Sequence, residues 1–404
     1  MAEKVRFGIC GAGRRGGHLT KKILCALDAV EIVAICDHLA EKADLLADEV
    51  NEITGVKPAV YTSHLELMEQ ESVDALLVAT SIDTHTQISI DAMERGVIVG
   101  MEVGGAAGEE ECWRLLNAFE RTQTPFMFLE NCCYGKAELF AASLKKHGVL
   151  GDVVYCHGSY MHDIRELICT GEGSGTPNFR WDIWKHDNAD SYPTHELGPI
   201  SKILNIGRGN RMVSLSSRAS SAKGLKDYIS RTEELAHLRD HSFQHGDIVE
   251  TLINCENGEL INLRLDCTLP TYYSREITVR GTKGHFRQDG NILVVDGNHH
   301  KYFNDAVDSA DPFYDEYLPD VWKNIPSFAR EAGHGGIDYL MMKSFVEAIR
   351  NQEEMPIDIY DAVTWMSIGY LSRKSIENGG SSVEIPDFTK GAYKTRPPRD
   401  VVDL

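Results

Sequence analysis

Gly11-Ala12-Gly13-Arg14-Arg15-Gly16 directly follows the apolar run Val5-Arg6-Phe7-Gly8-Ile9-Cys10. A buried strand that runs into a glycine turn and opens a helix presents backbone N–H groups and the positive helix end to an anion. The glycines have separate duties: Gly11 makes the tight turn, Gly13 admits a pyrophosphate, and Gly16 lets helix and strand pack closely. The next apolar run, Val30-Glu31-Ile32-Val33-Ala34-Ile35-Cys36, ends in Asp37. An acid roughly 20 residues downstream is where a ribose hydroxyl is held. A dinucleotide-binding βαβ unit of the Rossmann type is therefore expected. Asp37 favours NAD over NADP, because a carboxylate accepts from the ribose 2′-hydroxyl and repels a 2′-phosphate. Arg14 and Arg15 count in the other direction, since either could pair with a phosphate, though Arg15 could instead flank the pyrophosphate.

The strand–helix alternation continues beyond this unit. Further apolar runs end at Thr80, Val103 and Glu130, with amphipathic stretches at Ala40–Val50, Thr84–Arg95 and Glu109–Arg121. Alternation of this kind implies a parallel sheet covered on both faces. Its ligands lie beyond the strand C-terminal ends, which makes Thr80–His85, Glu102–Gly105 and Glu130–Tyr134 candidate site loops. From Val153 the pattern changes to alternating strands. Asp247–Asn257 and Glu259–Thr268 flank the hairpin dipeptide Asn257-Gly258. Glu276–Arg280, His285–Gln288 and Asn291–Asp296 continue a meander, and Gly336–Arg350 and Ile359–Glu377 read as amphipathic helices that close this second domain. Arg165–Arg180 reads as a loop, and Tyr302–Ala332 as an irregular lid or interface arm. The expected division is a Rossmann α/β domain at 1–135, an α+β domain with a mostly antiparallel open sheet at 136–385, and a C-terminal tail at 386–404, of which Lys390–Leu404 reads as an extended arm or as disordered.

A net charge of −20 on 404 residues argues against nucleic-acid and anionic-membrane partners. No uncharged apolar run approaches a membrane span. Met1-Ala2-Glu3-Lys4 leads straight into the first strand, so no signal peptide and a cytoplasmic location are expected. The ten cysteines contain no C-x-x-C pair, and they read as reduced thiols with no metal site.

A Rossmann domain followed by an antiparallel sheet resembles the glucose–fructose oxidoreductase/inositol dehydrogenase superfamily. Its dehydrogenases carry Glu-Lys-Pro at the end of the fourth strand, whereas this chain has Glu102-Val103-Gly104. The chain is similar to one branch in particular, the NAD-dependent glycosidases of glycoside hydrolase family 109. The similarity is carried by Asn131-Cys132-Cys133-Tyr134, Tyr160-Met161-His162-Asp163, Phe179-Arg180-Trp181, Tyr192-Pro193-Thr194-His195, Tyr273-Ser274-Arg275 and Gly333-His334-Gly335-Gly336.

This resemblance implies an NAD site formed by Gly11, Gly13, Arg14, Arg15, Gly16, Asp37, Thr80, Ile82, His85, Glu102, Val103 and Asn131. It implies a sugar site formed by Tyr160, Arg180, Tyr192, Thr194, His195 and Tyr273. It also implies hydrolysis of a glycoside, an N-acetylhexosaminide among the options, with NAD recycled. Sugar C3 is oxidised, the C2 proton and the C1 leaving group are eliminated, water adds, and C3 is reduced. His195 is expected to move the C3 hydroxyl proton. Tyr160 with His162 is expected to act at C2 or on the leaving group, with Tyr192 beside them.

Other readings of these residues stand open. Tyr160 and His162 point the same way on a strand and either line a site or pack against helices. Arg180 either reaches the sugar or pairs with Asp182. A net sugar or cyclitol dehydrogenase making a 3-keto product is the alternative function, and an NAD-binding sensor is a third. A homodimer or homotetramer is expected from the superfamily.

Overall fold

In the computed structural model, which describes residues 4–104, 106–171, 180–297 and 308–404, the apolar runs of the N-terminal part pair side by side. The strands are β1 Val5–Cys10, β2 Val30–Cys36, β3 Ala59–Tyr61, β4 Ala75–Val78, β5 Ile98–Glu102 and β6 Phe126–Leu129. They form a parallel sheet of order β3-β2-β1-β4-β5-β6. The chain runs outward from β1 to β3 and then restarts on the other side of β1 with β4. That reversal creates the crevice where open parallel sheets bind ligands. The short edge strand β3 was not expected from the sequence. Its three residues are all only half buried, so no continuous apolar run marks it, and Glu102 ends the fifth strand rather than the fourth.

The chain divides into two compact units, 1–136 with 319–364 and 399–403, and 137–318 with 365–398 and 404. The return of 319–364 to the first unit was not foreseen. It follows from the helix Ile337–Asn351, whose Ile337, Leu340, Met341, Phe345 and Ala348 are buried at helical spacing. Phe345 packs edge-on against Phe7 of β1 at 5.9 Å.

The second unit holds β7 Val153–Met161, β8 Met212–Ala219, β9 Ile248–Cys255, β10 Leu260–Asp266, β11 Thr278–Gly281, β12 Gly284–Arg287, β13 Ile292–Val295 and β14 Val383–Glu384. Their order is β13-β12-β11-β7-β10-β9-β8-β14. All neighbours are antiparallel except β7 and β10, which run parallel in the middle of the sheet. The Asn257-Gly258 hairpin and the meander from β11 to β13 form as expected. The helix Thr194–Ile203 packs on β7, and Gly158 permits this: a Cβ there would stand 2.8 Å from Glu196 Cβ and 3.0 Å from Ile200 Cδ1. Tyr160, Ile164, Ile168, Trp181, Trp184, Leu225, Ile229 and Leu265 form the core of this side.

Three expected loops contain more order than the sequence suggested. Arg165–Thr170 is a short helix, while 172–179 lies outside the described residues. The expected irregular arm is described from 308 onward and contains short helices at Tyr314–Tyr317, Asp320–Lys323 and Ser327–Glu331. The tail is not an extended arm: Tyr393 and Val401 are buried, the Tyr393 carbonyl accepts from the Gly209 amide at 2.6 Å, and the Val401 carbonyl accepts from Ser344 Oγ at 3.2 Å.

Candidate functional site

In the first unit the glycine turn has the properties a pyrophosphate cradle needs. Gly11 has φ +100°, and a side chain on it or on Gly16 would collide with the Ala79 or the Gly11 carbonyl. Only glycine allows this closeness. Gly13, by contrast, opens onto space with no atom within 4 Å of a Cβ. That is where a phosphate needs room. Arg14 is exposed on the turn. Asp37 is buried, with Oδ2 accepting from the Ala12 amide at 2.9 Å and Oδ1 accepting from the Leu39 amide at 3.0 Å. The turn and the β2 end are thus held as one piece.

The β4 loop is built around a buried histidine. His85 Nε2 lies 3.1 Å from the Thr80 carbonyl. A carbonyl only accepts, so Nε2 carries a proton in this bond. Burial lowers the pKa of this imidazole. Thr80 also shares a hydrogen bond with Thr84 at 2.7 Å. Ile82 and His85 Nδ1 both stand 3.2 Å from where a Gly104 Cβ would be, next to Val103 at the end of β5.

Arg15 does not have the disposition of a phosphate partner. Its Nε and Nη2 bond Glu102 at 3.0 and 2.9 Å, and Nη1 and Nη2 bond the Asp338 carboxylate at 2.7 and 2.9 Å. This spends most of the fork's donors on two carboxylates. Asp338 is fully buried and is the hub of the network. It also accepts from Asn131 Nδ2 at 2.8 Å and pairs with His334 Nδ1 at 2.8 Å, with His18 Nε2 3.6 Å away. Burial alone would raise this carboxyl, but His18, His334 and Arg15 outweigh it and hold the group well below the ordinary range. Glu102 behaves differently: burial keeps it above its usual range despite Arg15.

In the second unit, four rings come together. Tyr160 at the end of β7 lies 4.9 Å from Tyr192, 5.3 Å from His195 and 5.6 Å from His162 between ring centroids. Tyr192 and His195 stand 4.8 Å apart. The helix begins at Thr194, later than the shared helical face required, so Tyr192 precedes it and Pro193 caps it. The two rings still meet, and Pro193, just before the helix, already has helical dihedrals, φ −76° and ψ −14°. Thr194 itself is buried. Tyr160 Oη and His162 Nδ1 share a hydrogen bond of 3.1 Å. Burial, with Tyr192 adding to it, raises the Tyr160 phenol well above its ordinary value. The Arg180 guanidinium lies 5.6 Å above the Tyr192 ring, which places it in this cluster. Tyr273 meets His162 edge-on at 5.0 Å.

Sequence reasoning missed Asp338, Arg275 and Glu138. Asp338 lies four residues after His334, across a turn in which His334, Gly335 and Gly336 all have positive φ, and no periodicity marks it. Glu138 and Arg275 are far apart along the chain, and no periodicity links them.

Residues 5–128 match the family model "Oxidoreductase family, NAD-binding Rossmann fold", and residues 134–395 match "Glycosyl hydrolase 109, C-terminal domain". A glycosyl hydrolase family 109 protein from Parabacteroides distasonis is 35% identical, over 98% of this chain and 89% of that one. An alpha-N-acetylgalactosaminidase from Tannerella forsythia is 34% identical, over 98% of this chain and 88% of that one. In fold, the chain is similar to a crystal structure of an oxidoreductase from Agrobacterium radiobacter in complex with NAD+, L-tartaric acid and magnesium. That likeness has a TM-score of 0.69 at 15% identity and covers 95% of this chain and 98% of that one. An NAD-type Rossmann domain joined to this particular C-terminal domain, with near-complete coverage of relatives at about a third identity, makes the chain a member of glycosyl hydrolase family 109.

Proposed function

We propose that this protein is an NAD-dependent glycosidase acting on an N-acetylhexosaminide by oxidation at C3, elimination across C1–C2, hydration and reduction. The observation that carries the reading is the cluster of Tyr160, His162, Tyr192 and His195, which gathers proton-transfer groups of the type elimination needs. The name of the Tannerella relative supports an N-acetylgalactosaminide as the substrate class. The absence of a lysine after Glu102 supports hydrolysis over net dehydrogenation.

The first unit suits NAD: Gly11, Gly13 and Gly16 would hold the pyrophosphate with Arg14 at its edge. Asp37 would hold the adenosine ribose. Thr80, Ile82, His85, Glu102, Val103 and Asn131 would line the remainder. NAD held there would supply a hydride acceptor and donor for sugar C3.

The remaining chemistry falls to side chains. His195 accepts the C3 hydroxyl proton as the ketone forms, and the ketone acidifies C2–H. Tyr160 passes its proton to His162 Nδ1, 3.1 Å away, and takes the C2 proton. Its raised pKa makes the phenolate a strong base once formed. Arg180 and Tyr192 orient sugar hydroxyls or the N-acyl group.

An aryl N-acetylgalactosaminide incubated with the NAD-loaded protein tests this. Aglycone release without NADH accumulation, and deuterium at C2 of sugar released in D₂O, are expected. Stoichiometric NADH with an intact glycoside overturns the reading in favour of a dehydrogenase making a 3-keto sugar.

A further inference from the structure

Tyr273 is 50% exposed, yet its phenol oxygen is anchored by a buried ion pair. Arg275 Nη1 donates to Tyr273 Oη at 2.8 Å, and Arg275 Nε donates to Glu138. Both members of that pair are buried. The loop around them is tied down on each side. Tyr272 Oη and Ser274 Oγ donate to Asp289 at 2.6 Å each. The Ser159 amide donates to the Arg275 carbonyl at 2.7 Å, and the Ser274 amide donates to the Met161 carbonyl at 3.0 Å. The Tyr273 hydroxyl is therefore held at a set place beside the end of β7.

The direction of the Arg275 bond matters. A guanidinium only donates, so the Tyr273 oxygen accepts from it and the phenol proton must point to another acceptor. The adjacent cation also favours the phenolate that remains once that proton has gone. An acid for an oxygen leaving group needs both properties. Tyr160 is buried, and its hydroxyl is engaged with His162.

We propose that Arg275, held by Glu138, is a positioning residue that makes Tyr273 the acid protonating the departing glycosidic oxygen; this rests on the elimination reading above. The Tyr273 proton passes to that oxygen as the C1–O bond breaks and its electron pair goes to the oxygen. The C2–H electron pair becomes the C1=C2 bond, its proton having gone to Tyr160. In hydration, water oxygen bonds to C1, a water proton restores the Tyr273 phenol, and Tyr160 returns a proton to C2.

The test compares a dinitrophenyl glycoside, whose aglycone leaves without a proton, with a methyl glycoside of the same N-acetylated sugar. Tyr273→Phe keeps the Glu138–Arg275 pair intact, so its folding is not at stake. Glu138→Gln combined with Arg275→Gln removes the cation without stranding a buried charge, and Arg275→Lys restores a cation. Tyr273→Phe and the double variant are expected to lose about 10²-fold in kcat on the methyl glycoside. On the dinitrophenyl glycoside they lose no more than a few-fold, while C2 deuterium persists in D₂O. Arg275→Lys recovers part of the loss. Equal losses on the two substrates, or an undiminished rate on the methyl glycoside, overturn the proposal. A wild-type enzyme that releases aglycone without C2 deuterium overturns the elimination reading instead, since the leaving-group contrast is read independently.

Discussion

Asp338 shows how one buried carboxylate organises residues from three distant stretches of sequence. It takes hydrogen bonds from Arg15, Asn131 and His334, and through Arg15 it holds Glu102. Removing one member of a buried ionic network leaves the others uncompensated, which costs roughly 3–5 kcal/mol. Asp338→Ala is therefore expected to lower unfolding free energy by about 3 kcal/mol and weaken NAD binding at least about tenfold. Denaturant titration and equilibrium dialysis against NAD measure the two effects. A variant with wild-type NAD affinity would show that the hub does not shape the cofactor site. At this scale the sequence was partly legible. Asp37 and Gly13 announce themselves by spacing from a recognisable strand, whereas the partners of Arg15 lie 87 and 323 residues away and carry no local mark.

Elements position the second-unit chemistry. His195 reaches Tyr160 because the helix Thr194–Ile203 lies close against β7 at Gly158, where there is no room for a Cβ. Gly158→Ala is expected to cost about 1–3 kcal/mol through overpacking and to lower kcat by tenfold or more, since small displacements of catalytic groups are costly. Stability and kcat measured on the same preparation check it, and an unchanged kcat would mean that the helix is not what sets His195. The helix Ile337–Asn351 was legible because buried positions repeat along it at helical spacing. The short strand β3 and the parallel pairing of β7 with β10 were not. Both depend on neighbours distant in sequence rather than on any local pattern.

At the scale of the whole molecule, buried carboxyls of opposite behaviour shape the response to pH. Asp190 is fully buried, and burial pushes its carboxyl up to about 7, only partly offset by the Thr251 hydroxyl and the Tyr192 amide. An unfolded chain releases this proton near pH 4. Between about pH 4 and pH 7 the folded state therefore binds more protons than the unfolded state, and stability falls as pH rises. Asp190→Asn removes that decline. Its stability relative to wild type should improve by as much as about 4 kcal/mol from pH 4 to pH 7, read by urea titration at several pH values. A difference that does not change with pH would contradict this origin. Asp338 contributes in the opposite sense. Its lowered pKa gives stability that is present above the ordinary carboxylate range and is lost only on strong acidification.

Local chemistry carried much of this protein in its sequence: the glycine turn, the acid at the end of the second strand, the hairpin dipeptide, and the order of short motifs that marks the family. Each depends on residues close enough along the chain to constrain one another's backbone or to repeat with a strand or helix period. Tertiary structure alone decided that Arg15 bonds Glu102 and Asp338, that 319–364 returns to the first unit, and that Arg275, paired with Glu138, bonds the Tyr273 hydroxyl. A charge finds its partner only when the fold removes both from water, and the identity of that partner is settled by packing between segments that sequence distance keeps apart.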